Sequence, residues 1–255
     1  PILAIKVAST NAARYFRLNN RGAIALGYLA DFVIINDFEE FTIEQVYKKG
    51  KLMFSEGKLK EFIAPSVDEF LAQRAHSTFK VDRLTPEAFK IDRPRGVLGI
   101  VVGELMTTDE GYATGVNVAE DILKIAVVER HNYTGHIGIG YIKGYGLRSG
   151  AVATSISHDS HNIIVVGTND EDMAAAVNHI AENNGGITVF DSCKCIGDVK
   201  LEIAGLMSDA SLVDVNRSLE DAKTKAFELG VSKLIDPFMT LSFMSLPVIP
   251  KLRLT

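Results

Sequence analysis

Residues 151–166 read Ala151-Val152-Ala153-Thr154-Ser155-Ile156-Ser157-His158-Asp159-Ser160-His161-Asn162-Ile163-Ile164-Val165-Val166. Two short apolar runs, Ala151–Ile156 and Ile163–Val166, enclose a dense polar block. Runs of this length, rich in Val, Ile or Ala, suit strands buried on both faces. The polar block between them must lie where its side chains find partners, because an unpaired buried polar group costs about 1–3 kcal/mol. Strand ends and the loops beyond them are where α/β proteins place chemistry. His158, Asp159, Ser160, His161 and Asn162 are therefore site candidates. Arg130 and His131 follow another apolar run, Leu123–Val128, and either share that site or end that strand.

Working outward, Val97–Val102 is a further strand candidate. Asp170–Glu182 predicts a helix, with three acids near its positive end and Met173, Val177 and Ile180 at helical spacing. Asn183-Asn184-Gly185-Gly186 stops it. Strands Ile187–Phe190 and Val199–Ala204 follow, then a helix over Leu212–Leu229 closed by Gly230. Ser208 and Asp209 either reach the same strand-end edge or cap that last helix. Gly138-Ile139-Gly140, beside His136, permits close backbone approach but is no dinucleotide fingerprint. Phe62–Arg93, with Pro65, Pro86 and many charges, reads as a connection over the surface. Mixed elements of these lengths predict an α/β (α+β) domain over 94–255.

The first residues read differently. Ile2, Ile5, Ala8, Ala12 and Phe16 have the spacing of one helical face. Ala30–Ile35 predicts a strand, and Val46–Leu52 a strand or a hairpin turning at Gly50. Two strands make a poor domain alone, so they need partners.

Composition excludes some classes. The chain has 255 residues, 47% hydrophobic and 23% charged, with a net charge of -5. That argues against a nucleic-acid or anionic-membrane binder, which needs a concentrated basic surface. No uninterrupted apolar span is long enough for a membrane helix; Phe238–Ile249, broken by Pro247, reads as buried chain. Cys193 and Cys195 are too close for an unstrained disulfide, so free thiols in a reducing cytoplasm are expected. They lack the spacing of a deaminase-type or structural zinc site and read as two semi-buried thiols. His76 and His179 read as surface residues. His158 and His161, with Asp159, could supply nitrogen and oxygen donors to a metal; alternatively the loop only caps the strands.

Ser9-Thr10-Asn11-Ala12-Ala13 followed by Gly22-Ala23-Ile24-Ala25-Leu26-Gly27-Tyr28-Leu29-Ala30-Asp31-Phe32-Val33 resembles the join between the last barrel helix and the β-sandwich of amidohydrolase-superfamily enzymes. Asp121–His131, His158–Asn162, Gly205-Leu206-Met207-Ser208-Asp209 and Asp236–Phe243 resemble the C-terminal domain of bacterial-type adenine deaminases. The resemblance implies the end of a TIM-barrel helix at 1–18, the C-terminal half of a β-sandwich at 19–62, a connection at 63–93 and a C-terminal mixed α/β domain at 94–255.

It also implies hydrolysis of adenine to hypoxanthine and ammonia by water activated on a divalent metal (manganese, iron or zinc). The ligands of that metal would come mainly from barrel strands ahead of Pro1, leaving this chain alone inactive. The expected partners are adenine, the missing barrel half and further copies of the chain, with neither nucleic acid nor membrane. The His158–Asn162 loop is then expected to close over the adenine site. Alternatives are another cyclic amidohydrolase, or a non-catalytic purine-binding or oligomerisation module.

Overall fold

The apolar spacing between Ile2 and Phe16 produces helix, but not one continuous helix. α1 (Ile2–Lys6) passes through a π turn at Val7–Asn11 into α2 (Ala12–Tyr15). Hydroxyls explain the interruption: Ser9 Oγ donates to Ile5 O at 2.5 Å, and Thr10 Oγ1 donates to Gly22 O at 2.6 Å. Such side-chain bonds compete with the helical ladder. Ala13 is buried against Gly22, which has φ +83° and where an added Cβ would lie 2.7 Å from the Ala13 Cβ.

β1 (Phe32–Ile35), β2 (Ile43–Lys48), β3 (Lys51–Ser55) and β4 (Lys58–Leu59) form a 4-stranded antiparallel sheet in sequence order. The stretch Val46–Leu52 resolves into a hairpin. Lys48 pairs with Lys51, and both Lys49 and Gly50 have positive φ, as a two-residue primed turn requires. Asp31 steadies the sheet through Arg21 at 2.6 Å and Lys48 at 2.9 Å.

This computed structural model describes residues 1–61, 65–249 and 252–254 and divides into two units, Pro1–Ser66 and Val67–Thr255. Phe62, expected to end the sandwich segment, lies outside the described residues, as do 63, 64, 250, 251 and 255.

The second unit holds α3 (Glu69–His76), a 3-10 turn at Pro86–Phe89, β5 (Arg95–Ile100), β6 (Thr107–Ala113), β7 (Ile122–Val128), β8 (Ile137–Lys143), β9 (Ala151–Thr154) and β10 (Ile163–Gly167). α4 (Asp170–Glu182), β11 (Gly186–Asp191), β12 (Lys194–Lys200), α5 (Leu212–Glu228) and α6 (Pro237–Phe243) complete it. The strands form an 8-stranded sheet ordered β12-β11-β9-β10-β7-β8-β5-β6. Neighbours run antiparallel except β5 and β8.

Both faces of the sheet are covered, which is why its central strands are apolar without alternation. Ile164 and Val166 of β10, with Leu123, Ile125 and Val127 of β7, pack against Ala222 and Ala226 of α5 and Phe238 and Leu241 of α6. Ile163 and Val165, with Ala126 and Val128, pack against Met173, Val177 and Ile180 of α4.

The expected surface connection is built differently. Phe79, Val81, Leu84 and Phe89 pack into the α4 core, and Phe89 is fully buried. Asn178 of α4 holds Leu84 by both backbone groups, at 2.8 Å each.

Three strands also differ from expectation. β8 is hidden in sequence by its glycines, of which Gly140 lies in the sheet beside Gly96 O. β6 is a largely exposed edge strand without an apolar pattern. β12 is Lys194–Lys200 and not Val199–Ala204. The cap of α5 is Ser211, not Ser208 or Asp209.

Candidate functional site

The polar block emerges as a loop from β9 to β10, held from two sides. His161 N donates to Ser157 O at 2.6 Å, closing the loop on itself. On one side His158 N donates to Ser242 O of α6 at 2.8 Å, and Ser157 Oγ hydrogen-bonds Ser245 Oγ. The His158 ring stacks on Phe243 with centroids 4.7 Å apart. α6 is placed there by Asp236, whose carboxylate caps the Phe238 and Met239 amides and pairs with Lys223 at 3.0 Å.

On the other side stands Arg130, 1% exposed at the end of β7. Its Nε donates to His161 O, its Nη2 to Ala204 O at 3.0 Å and its Nη1 to Thr78 Oγ1 at 3.4 Å. Its guanidinium lies 4.1 Å over the Phe79 ring. Burial pulls its pKa down to about 10, so it stays charged at neutral pH. A buried cation held by neutral carbonyls and an aromatic face is expensive unless each donor is used.

His131 Nε2 lies 2.8 Å from Ser160 O, where the Nε2–H tautomer donates to the carbonyl. The turn carrying His131 is shaped by Glu129, which accepts from the His131, Asn132 and Thr134 amides. Burial alone would raise the Glu129 pKa; those amides and the Thr134 hydroxyl outweigh it and lower it.

The structure thus brings Arg130, His131 and the loop together, but with different exposure. Asp159 and Ser160 are exposed, whereas His158, His161 and Asn162 are half-buried. His161 Nδ1 and Asn162 Oδ1 are shielded yet have no hydrogen-bond partner among the described residues. Burial, reinforced by the neighbouring His158 and Arg130, lowers the His161 pKa below the ordinary 6.5 and keeps the imidazole neutral at pH 7. Asn162 also lines a cleft of about 410 Å³ with Val127, Glu129, His136, Ile137 and Gly138. That volume is within the range of small-molecule sites. A second cavity, of about 270 Å³, is lined by apolar side chains such as Ile100, Leu234 and Phe243 together with Glu104, Asp236 and Thr240.

Among the described residues, His158, Asp159 and His161 do not gather as a group of three metal donors. The group of three donors that does converge among the described residues is His179, Cys195 and Asp198. His179 is therefore not a free surface residue; Cys193 and Cys195, read from sequence as semi-buried thiols, are both exposed, and Cys195 has an imidazole beside it. One cue was available, namely histidine in the last turn of a helix that precedes a cysteine-bearing strand. The strand irregularity that completes the group leaves no mark in the residue pattern.

Residues 102–255 match the adenine deaminase C-terminal domain family, and residues 1–53 match the amidohydrolase family. Among curated proteins, adenine deaminase 2 of Carboxydothermus hydrogenoformans is 43% identical over 262 residues, covering 98% of this chain and 45% of that protein. Adenine deaminases of Dehalococcoides mccartyi and Petrotoga mobilis are 41% and 42% identical, each covering 100% of this chain and 46% of the relative. The chain thus spans less than half the length of these relatives.

Proposed function

The chain belongs to the adenine deaminase C-terminal domain family, and from that premise we propose that it is part of an enzyme converting adenine and water to hypoxanthine and ammonia. The amidohydrolase match at residues 1–53 supports a parent with a metal-dependent barrel. In such an enzyme a bound divalent metal supplies the activated water. The His158–Asn162 loop is not among the converging donor groups of the described residues, and the part assigned to it is to hold the purine and exclude bulk water.

One observation carries this assignment: His161 Nδ1 and Asn162 Oδ1 are shielded polar atoms without partners, on a loop whose backbone is clamped from both sides. Unsatisfied groups of this kind cost stability, and a ligand that supplies the missing bonds repays it. Adenine has the complementary set. Its exocyclic amine donates to a carbonyl such as Asn162 Oδ1, and its ring nitrogens accept from a neutral imidazole. Because both atoms are shielded, the two side chains turn toward the purine as the loop closes. Arg130 and His131 position the loop and do not touch substrate.

The first unit exposes Ile2, Leu3, Phe16, Ile24 and Leu26. We assign this apolar surface to contact with the remainder of the enzyme, and self-association of the isolated chain follows from it. The two thiols are unpaired, in keeping with a cytoplasmic enzyme. Among the described residues no helix is long and apolar enough to cross a membrane.

The test is kinetic, in the complete enzyme. His161→Ala and Asn162→Ala should each lower kcat/KM for adenine by at least about tenfold, or about 1.4 kcal/mol of transition-state stabilisation. Metal content and melting temperature should stay near those of the parent. Unchanged kinetics in both variants would leave the loop as a strand cap. Failure of the complete enzyme to release ammonia from adenine would overturn the broader reading.

A further inference from the structure

His179, Cys195 and Asp198 each place one donor atom within 4.8 Å of the other two, and sequence spacing alone does not bring them there. Cys195 and Asp198 are three residues apart in β12, a spacing that sends side chains to opposite faces of a regular strand. A bulge changes this. Phe190 pairs with Cys195 and Val189 with Gly197, so Ile196 is an extra residue without a partner in β11. Cys195 and Asp198 thereby stand opposite Phe190 and Thr188 on the face covered by α4. Ile196 and Val199 instead join the opposite core beneath α5. α4 brings His179 from its last turn, edge-on to the Phe190 ring at 5.4 Å.

His179 Nε2 lies 3.1 Å from Asp198 Oδ1, yet the atom has no well-directed hydrogen bond. Cys195 Sγ sits 3.5 Å from Thr188 Oγ1, a hydroxyl able to donate to a thiolate. The His179 and Asp198 side chains are each 27% exposed and Cys195 is exposed, so the group is reachable from solvent. Tetrahedral zinc holds nitrogen at about 2.0–2.1 Å and sulfur at about 2.3 Å, which puts ligand atoms roughly 3.3–3.8 Å apart. The three donors need only small movements to meet that spacing. A thiolate, an imidazole and a carboxylate together favour zinc-like ions over magnesium or calcium, which take oxygen.

Two simpler readings explain less. A Cys-His-Asp nucleophilic triad needs the acid and the thiol on opposite nitrogens of the imidazole. Here a single His179 donor atom is near both. An ordinary His–Asp ion pair needs neither the cysteine nor the bulge that aligns it.

We propose that His179, Cys195 and Asp198 form a binding site for one zinc-class divalent ion, completed by water, that clamps β12 to α4. β12 is an edge of the 8-stranded sheet, the position where a strand most needs fastening. Asp198 and Cys195 beside the imidazole push its pKa up to about 10, so ion binding displaces the imidazolium proton to solvent.

The experiment uses the purified chain, freed of metal by chelation and dialysed, then titrated with zinc chloride and separately with cobalt(II) chloride. One equivalent of zinc should bind and raise the melting temperature. Cobalt should give a thiolate-to-metal charge-transfer band with tetrahedral d–d absorption. Cys195→Ser should abolish the charge-transfer band, while Cys193→Ser keeps it. His179→Ala and the near-isosteric Asp198→Asn should each weaken zinc binding at least about tenfold, with circular dichroism confirming unchanged folding. No charge-transfer band, a band that survives Cys195→Ser, or zinc affinity indifferent to both His179→Ala and Asp198→Asn would overturn the site.

Discussion

Replacing Arg130 with Met removes the guanidinium but keeps an unbranched apolar stem, which isolates the polar contribution. His161 O and Ala204 O lose their donor, at about 1–3 kcal/mol each for a shielded carbonyl. The stacked cation over Phe79 is worth about 2 kcal/mol when desolvated. Against these losses of roughly 4–8 kcal/mol stands relief from burying a charge, which costs several kcal/mol. The net expectation is destabilisation by about 2–4 kcal/mol. For a unit of this size, that lowers the melting temperature by roughly 4–16 °C, at about 2–4 °C per kcal/mol. With no tryptophan in the chain, urea unfolding is followed by far-ultraviolet circular dichroism. Arg130→Lys should recover little, since a lysine keeps the charge but cannot span His161, Ala204 and Thr78 with one planar fork. A loss below about 0.5 kcal/mol in Arg130→Met would refute the claim that this side chain anchors the loop.

Further outcomes follow from the same geometry. Asn178→Ala should cost about 1–3 kcal/mol, because Leu84 N and O both lose their partner; an unaltered urea midpoint would contradict this. Gly205→Ala should destabilise measurably in thermal melts, since φ is +73° and the new Cβ would come 2.9 Å from both Arg130 Nη2 and the Phe79 ring. The His161 pKa is depressed in the folded state, so below pH 6.5 the unfolded chain binds the extra proton first. Stability should therefore fall as pH drops from 6.5 toward the folded pKa and then level off, and His161→Gln should flatten that slope in urea titrations. The isolated chain should release no ammonia from adenine, as His158, Asp159 and His161 do not gather as metal donors among the described residues; metal-dependent turnover by the purified chain would show the chemistry to be misplaced.

The central strands and α4 were legible in sequence because they are buried on both faces or amphipathic, and burial writes itself as apolar periodicity. Ala151–Ile156 and Ile163–Val166 predicted β9 and β10, and Asp170–Glu182 is α4 as read. The same contrast exposed the polar loop, since a polar block between two core runs is visible without coordinates. Edges and glycines were not legible. β6 is an exposed strand with no core face to imprint a pattern, and β8 carries glycines that sequence reading assigns to turns. The segment holding Phe79 and Phe89 looked like a connection because its apolar residues have no regular period; they pack from irregular chain.

By itself, then, the sequence determined the mixed α/β class, the family resemblance and the place of the His158–Asn162 loop, all local or periodic properties. Only tertiary structure decided that Arg130 clamps the loop at His161 O, 31 residues onward, and that one bulged residue, Ile196, turns Cys195 and Asp198 toward His179. The physical reason is the same in both cases. A hydrogen-bond fork and a donor cluster depend on which strands lie side by side and in what register. Pairing between distant segments sets both, and no window of neighbouring residues contains them.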